Sequence, residues 1–136
     1  MKRYLFAPLC LAFFASHISA QVSLIAHKNV DLQINNNQQV TDIYTLETTS
    51  AKNTNIVLFD LKSGSVKDNF LSLIGKKPNE LKIIWMKATL AGDGKAPEVL
   101  EDEASVLQKV ASTPGAIGYV NSSNVTPEVK VLFELK

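Results

Sequence analysis

The chain has 136 residues, of which 46% are hydrophobic and 20% charged, and its formal net charge is +1. This balance is typical of a globular domain rather than of a disordered or fibrous chain. The small net charge gives no reason to expect nucleic acid as a partner. A single Cys, Cys10, excludes a disulfide framework and a multi-Cys metal site.

Residues 1–20 have the pattern of a secretory signal peptide. A short basic start precedes an apolar run over Tyr4–Ala15, and Ala20 is a small residue at the expected cleavage point. The run is too short to cross a bilayer. We therefore expect export to the periplasm, one domain over 21–136 and no membrane insertion after cleavage. An uncleaved anchor is the alternative.

The residues that follow this segment lack most of the side chains used in catalysis and metal binding. Residues 21–136 contain no Cys, no Arg and one His, His27. They therefore offer no Cys nucleophile, zinc finger or His-rich metal cage, and they contain no Gly-x-Ser-x-Gly elbow. We expect a protein that is not an enzyme and that needs no cofactor or metal.

The pattern of apolar residues predicts strands and helices that alternate along the chain. In order, we expect a strand at Val22–Ala26, a helix over Gln38–Tyr44 capped by Asn36 or Asn37, a strand at Ile56–Phe59, a helix from Val66 to Gly75, a helix from Pro78 to Gly92, a helix that starts at Glu101–Glu103, and strands at Ala116–Val120 and Val129–Leu135. Loops or turns are expected at 31–37, 47–55 and 60–65. The alternation predicts an α/β domain with a central sheet flanked by helices.

Two finer expectations concern side chains within these elements. In the last strand, Val131 and Phe133 are expected to alternate with Lys130, Leu132 and Glu134, so that the two sets lie on opposite faces. In the helix predicted from Pro78 to Gly92, Trp85 shares an apolar face with Leu81 and Ile84. We therefore expect Trp85 to be a core or cleft-edge aromatic residue.

The stretch Ser63-Gly64-Ser65 stands where a predicted helix begins. A helix start leaves unpaired N–H groups and a partial positive charge, which suit an oxyanion. Gly64 would let a ligand approach the backbone, the two serines would add hydroxyl donors, and Lys62 and Lys67 would neutralise charge. The alternative is that Ser63 or Ser65 simply caps the helix.

Three stretches, taken in order, resemble the periplasmic phosphate-binding proteins of ABC transporters, and in particular their short, single-lobe relatives. They are Lys62–Ser65 with the following Asp68-Asn69-Phe70, LKIIWMKATLAGDG over Leu81–Gly94, and TPGAIGYV over Thr113–Val120. The resemblance implies a single lobe of the type II periplasmic-binding-protein-like fold, with a central mixed sheet flanked by helices.

The resemblance also implies a ligand site at Ser63, Gly64 and Ser65, to which the need for a neutralising charge adds Lys67. The family places an Arg four residues before the first of these serines, whereas this chain has Phe59 there, and the opposing lobe has no counterpart. The implied function is therefore weak binding of phosphate or another small oxyanion, linked to ABC-type phosphate uptake. The alternative is a lone lobe that docks on a second copy, as a homodimer, or on an envelope protein.

Overall fold

The computed structural model describes residues 21–136, which form a five-stranded sheet, a two-stranded hairpin and four α-helices. The strands are β1 (Val22–Ala26), β2 (Ser50–Ala51), β3 (Thr54–Asn55), β4 (Val57–Leu61), β5 (Glu98–Leu100), β6 (Ala116–Asn121) and β7 (Lys130–Leu135). The helices are α1 (Asn37–Tyr44), α2 (Ser65–Ile74), α3 (Pro78–Ala91) and α4 (Glu103–Ser112), and Ser122–Asn124 form a 3₁₀ turn. The predicted signal peptide lies outside the described residues.

The main sheet is mixed, with strand order β5-β4-β6-β1-β7. Strand β4 runs parallel to its neighbours β5 and β6, and β1 runs antiparallel to β6 and β7. Residues next to each other on β6 point to opposite faces: Gly118 lies against Val106 of α4, whereas Tyr119 stacks on Phe70 of α2. The prediction of an α/β lobe with a central mixed sheet flanked by helices is confirmed.

The helix boundaries follow the signals in the sequence. Asn36 caps α1 by accepting a hydrogen bond from the N–H of Gln39 at 3.0 Å. Gly75 ends α2 in the left-handed conformation, with φ at 67°, where a residue without a Cβ is not strained. Pro78 occupies the first turn of α3, where its missing N–H costs no helical bond.

An aromatic cluster holds α2 on the sheet. The ring of Phe70 is stacked on that of Tyr119 with 3.8 Å between centroids, and Tyr44 of α1 meets Phe70 edge-on at 4.8 Å. All three side chains are buried. Because buried aromatic side chains remove large apolar areas from water and the edge-on pair has a preferred aromatic geometry, this cluster packs α2 firmly against β6 and α1.

Two expectations about local structure are wrong. The expected turn over 60–65 begins later, because β4 continues through Leu61. Within the expected loop over 47–55, β2 and β3 pair as a hairpin. In addition, the three-residue strand β5 was not predicted, and it forms because Val99 pairs in parallel with Asp60 of β4.

The alternation predicted for the last strand is also wrong. Val131 is 44% exposed, whereas Leu132 and Phe133 are both half-buried. Against β1, Phe133 lies opposite Leu24 and Val131 lies opposite Ile25, so Leu132 has no opposite residue. This extra residue is a bulge, and a bulge interrupts the two-residue alternation.

None of the helices within residues 21–136 is both long and apolar enough to cross a membrane.

A candidate oxyanion site at the start of helix α2

Helix α2 begins without a side-chain cap. Ser63, Gly64 and Ser65 are exposed in the turn after β4, and Gly64 is the N-cap residue. No side chain of the described range accepts a hydrogen bond from the first turn of α2, in contrast to α4, where Asp102 accepts from the N–H of Ser105 at 2.8 Å. The first N–H groups of a helix have no acceptor within it, so those of α2 have no side-chain acceptor among residues 21–136. The alternative in which Ser63 or Ser65 caps the helix is wrong.

Gly64 has a backbone conformation that other residues rarely adopt, with φ at 111° and ψ at 173°. This region is essentially restricted to glycine. A Cβ built there would meet no atom within 4 Å, so the need for glycine comes from the backbone and not from crowding. The space beside the turn is consequently open to a small molecule.

The three residues line a shallow depression of about 240 Å³ at the carboxyl end of β4. Its lining is Leu61, Ser63, Gly64, Ser65, Val66, Glu101, Asp102 and Glu103. It therefore lies between the starts of α2 and α4, outside the carboxyl end of a parallel strand, which is where ligands bind in open α/β sheets.

The acidic side of this depression is engaged in protein contacts. Glu101 lies 3.5 Å from the ammonium of Lys62, in an exposed pair, and Glu103 accepts a hydrogen bond from the N–H of Asn121. The hydrogen bonds from Ser105 lower the pKa of Asp102, which therefore stays charged as the cap of α4. Among the described His, Asp and Glu residues, no group of three is placed to hold a metal ion.

Lys67, the fourth residue predicted for the site, forms an ion pair with Asp60 and does not line the depression. Its ammonium lies 3.1 Å from a carboxylate oxygen of Asp60, and only 17% of the Lys67 side chain and 5% of the Asp60 side chain are exposed. The structure therefore brings Ser63, Gly64 and Ser65 together, and turns the charge of Lys67 toward the inside of the lobe.

Asp60 is the centre of a buried polar network that the sequence reading missed. The Tyr119 hydroxyl donates to Asp60 Oδ1 and accepts from the N–H of Leu61 at 3.2 Å. Burial, and then the neighbouring charge of Asp60, raise the pKa of the Tyr119 phenol, so the hydroxyl remains a donor. The sequence feature that could have indicated this network is a single acidic residue between the apolar residues Phe59 and Leu61.

A second, larger cavity of about 380 Å³ opens between α2, α3 and β5. Ser63 lines both this cavity and the depression described above. Trp85 also lines it, with its indole N–H donating to the backbone carbonyl of Tyr44 at 2.7 Å. Trp85 is thus both a core residue and a cavity wall, as its position in the sequence predicted.

Comparisons with known proteins were made on the sequence and on the fold. No family model matches the sequence, and no curated protein matches it significantly. Solved structures do match. A protein from Clostridium perfringens assigned as a phosphate ABC transporter substrate-binding protein, solved with bound phosphate, aligns with a TM-score of 0.67 and 25% identity over 82% of this chain and 44% of its own.

Two further structures match the same share of the chain. An ABC-type phosphate transport receptor from Vibrio cholerae gives a TM-score of 0.62 at 15% identity, and PstS from Borrelia burgdorferi gives 0.58 at 19% identity. Each alignment covers 82% of this chain, and the chain spans less than half the length of all three proteins (44% to 46%). The resemblance drawn from the three sequence stretches is confirmed in the fold. This chain is therefore similar in fold to part of the phosphate substrate-binding proteins of ABC transporters.

Proposed function

We propose that this chain is an exported binding protein that holds phosphate, or an oxyanion of similar size, at the first turn of α2. The observation that carries the proposal is the exposed, uncapped start of that helix, with Gly64 at its N-cap. The match to a structure solved with bound phosphate supports phosphate as the anion. Export rests on the pattern of residues 1–20, and a role in ABC-type phosphate uptake rests on the names of the matching proteins.

The chemistry of the site favours capture of an anion without a metal. The unpaired N–H groups and the helix dipole place roughly half a positive charge at the start of a helix. The hydroxyls of Ser63 and Ser65 would add donors, and an anion would compete with Glu101 for the ammonium of Lys62. Because residues 21–136 contain no Arg and Glu101 already pairs with Lys62, we expect a dissociation constant of about 1 mM, which corresponds to roughly 4 kcal/mol of binding free energy.

Titration calorimetry with inorganic phosphate should give saturable heat, and Ser65→Ala should weaken binding. Losing one hydrogen bond to an anion costs about 1.5 kcal/mol, or roughly tenfold in affinity. The matched control is Ser72→Ala, an exposed serine in the last turns of the same helix, which should leave the affinity unchanged. No heat at phosphate concentrations about ten times the expected constant would rule out the site.

A second candidate function is docking of the lobe on another copy of itself. Its support is the outer face of α3, where Ile83, Met86 and Leu90 are all exposed, Leu90 by 82%. Their spacing puts them on one stripe of the helix, and an exposed apolar stripe is a common feature of association surfaces.

Sedimentation velocity at increasing protein concentration tests this candidate. We expect a concentration-dependent dimer that Leu90→Lys weakens, because the substitution puts a charge in the apolar stripe. The matched control is Val131→Lys, which should dimerise like the parent. Val131 is an exposed valine on β7, the edge strand farthest from β5. A chain that stays monomeric throughout contradicts self-docking.

A further inference from the structure

The cavity between α2, α3 and β5 adjoins the proposed oxyanion site through Ser63. Apolar side chains form much of its wall: Leu71 of α2, Leu81 and Trp85 of α3, and Val99 of β5. At about 380 Å³, the cavity is within the size range of small-molecule pockets. An anion bound at Ser63 would therefore have an apolar space directly beside it.

The charged groups around the cavity are mostly paired within the protein. Asp60 and Lys67 lie 3.1 Å apart, which neutralises both, and Lys62 lies 3.5 Å from Glu101 in an exposed pair. The remaining charged residues of the lining, Lys82 and Asp68, have opposite signs. The lining thus combines apolar walls with nearly balanced charges, which fits a molecule whose anionic end is held at the first turn of α2 and whose other end is apolar.

Trp85 gives the apolar end of the cavity a fixed wall. Its indole N–H is already bonded to the carbonyl of Tyr44, so its polar atom is satisfied and the rest of the ring is a rigid apolar surface. Aromatic rings favour offset or edge-on contact with such a surface. An aromatic substituent is therefore the group that this wall is best suited to contact.

We propose that the cavity takes the organic substituent of a small phosphate monoester whose phosphate group sits at the first turn of α2. The ligand class of the protein would then be organophosphates with an apolar or aromatic group, and inorganic phosphate would occupy only the anionic half. This inference rests on the proposed function for the phosphate site at α2. It adds that the cavity between α2, α3 and β5 selects among phosphate-bearing ligands.

Phenyl phosphate and inorganic phosphate are the two probes. Trp85 is the only tryptophan of the chain, so a change in tryptophan emission reports on this cavity. On the purified protein we expect phenyl phosphate to bind at least about fivefold more tightly than inorganic phosphate, since burial of a phenyl group is favourable. We also expect it to change the emission, whereas inorganic phosphate leaves the emission nearly unchanged.

The variant Val99→Phe tests whether the preference for phenyl phosphate arises in this cavity. Val99 is 52% exposed on an edge strand, so a larger apolar residue is tolerated there and fills the cavity mouth. The variant should bind the two probes with equal affinity. Val131→Phe, at an exposed valine on the opposite edge strand, should keep the parent's preference.

The outcomes separate this inference from the proposed function. Equal affinities for both probes in the parent, without an emission change, would overturn the role of the cavity and leave the phosphate site standing. A preference for phenyl phosphate that survives Val99→Phe would place the substituent elsewhere and overturn the inference as well. If neither probe binds, the proposed function fails, and this inference fails with it.

Discussion

Asp60→Asn should lower the free energy of unfolding by about 3 kcal/mol. Breaking a buried ion pair by removing one partner costs about 3–5 kcal/mol, because the other charge is left uncompensated. Asp60 is 4% exposed and bonds to both Lys67 and Tyr119. We place the effect at the lower end of that range because the Lys67 side chain keeps 17% of its surface in solvent.

Urea unfolding followed by circular dichroism would measure this change. Asp31→Asn is the matched control, because it removes the same charge from an exposed pair with Lys52, and exposed pairs contribute little. A second variant, Asp60→Asn with Lys67→Met, should recover part of the loss, since it removes the stranded cation. If Asp60→Asn is as mild as Asp31→Asn, the network does not stabilise the lobe.

Phe70→Ala should cost about 4 kcal/mol of unfolding free energy, within the range for truncating a buried aromatic residue. Phe70 is 1% exposed and packs between the rings of Tyr119 and Tyr44. Its removal leaves a cavity between α2 and the sheet that two fixed rings cannot easily fill. The same urea experiment gives the measurement.

Val131→Ala is the control for this truncation. Val131 is 44% exposed on β7, and a surface substitution away from special contacts usually changes stability by less than about 0.5 kcal/mol. A Phe70→Ala protein as stable as Val131→Ala would mean that the aromatic cluster does not hold α2 in place.

Features that depend on local sequence were predictable. Asn36, Gly75 and Pro78 mark helix ends by chemistry that acts within one turn, and each of them lies where the sequence placed it. The turn with Ser63 and Gly64 was likewise found, because a helix start has a recognisable composition. The ordered resemblance then supplied the topology, which local patterns do not encode.

Features that depend on a distant partner were not predictable in the same way. The exposure of Val131 follows from a bulge in the pairing of β7 with β1, and β5 is a strand only because β4 lies beside it. Asp60 reads as a turn residue until the fold brings Lys67 and Tyr119 to it. For the candidate site, the sequence predicted that Ser63, Gly64 and Ser65 lie together where a helix begins, and it did not predict that Lys67 is paired with Asp60.

The place of β1 in the sheet has a consequence for how the lobe folds. The first strand lies between β6 and β7, the last two, and Ser23 contacts Glu134 across 111 residues of sequence. Loop-closure entropy opposes such long-range pairing, so the central register forms only once nearly the whole chain is present. A chain shortened at its C-terminus would lack the strand that covers β1, and it would expose a hydrophobic strand edge that promotes aggregation.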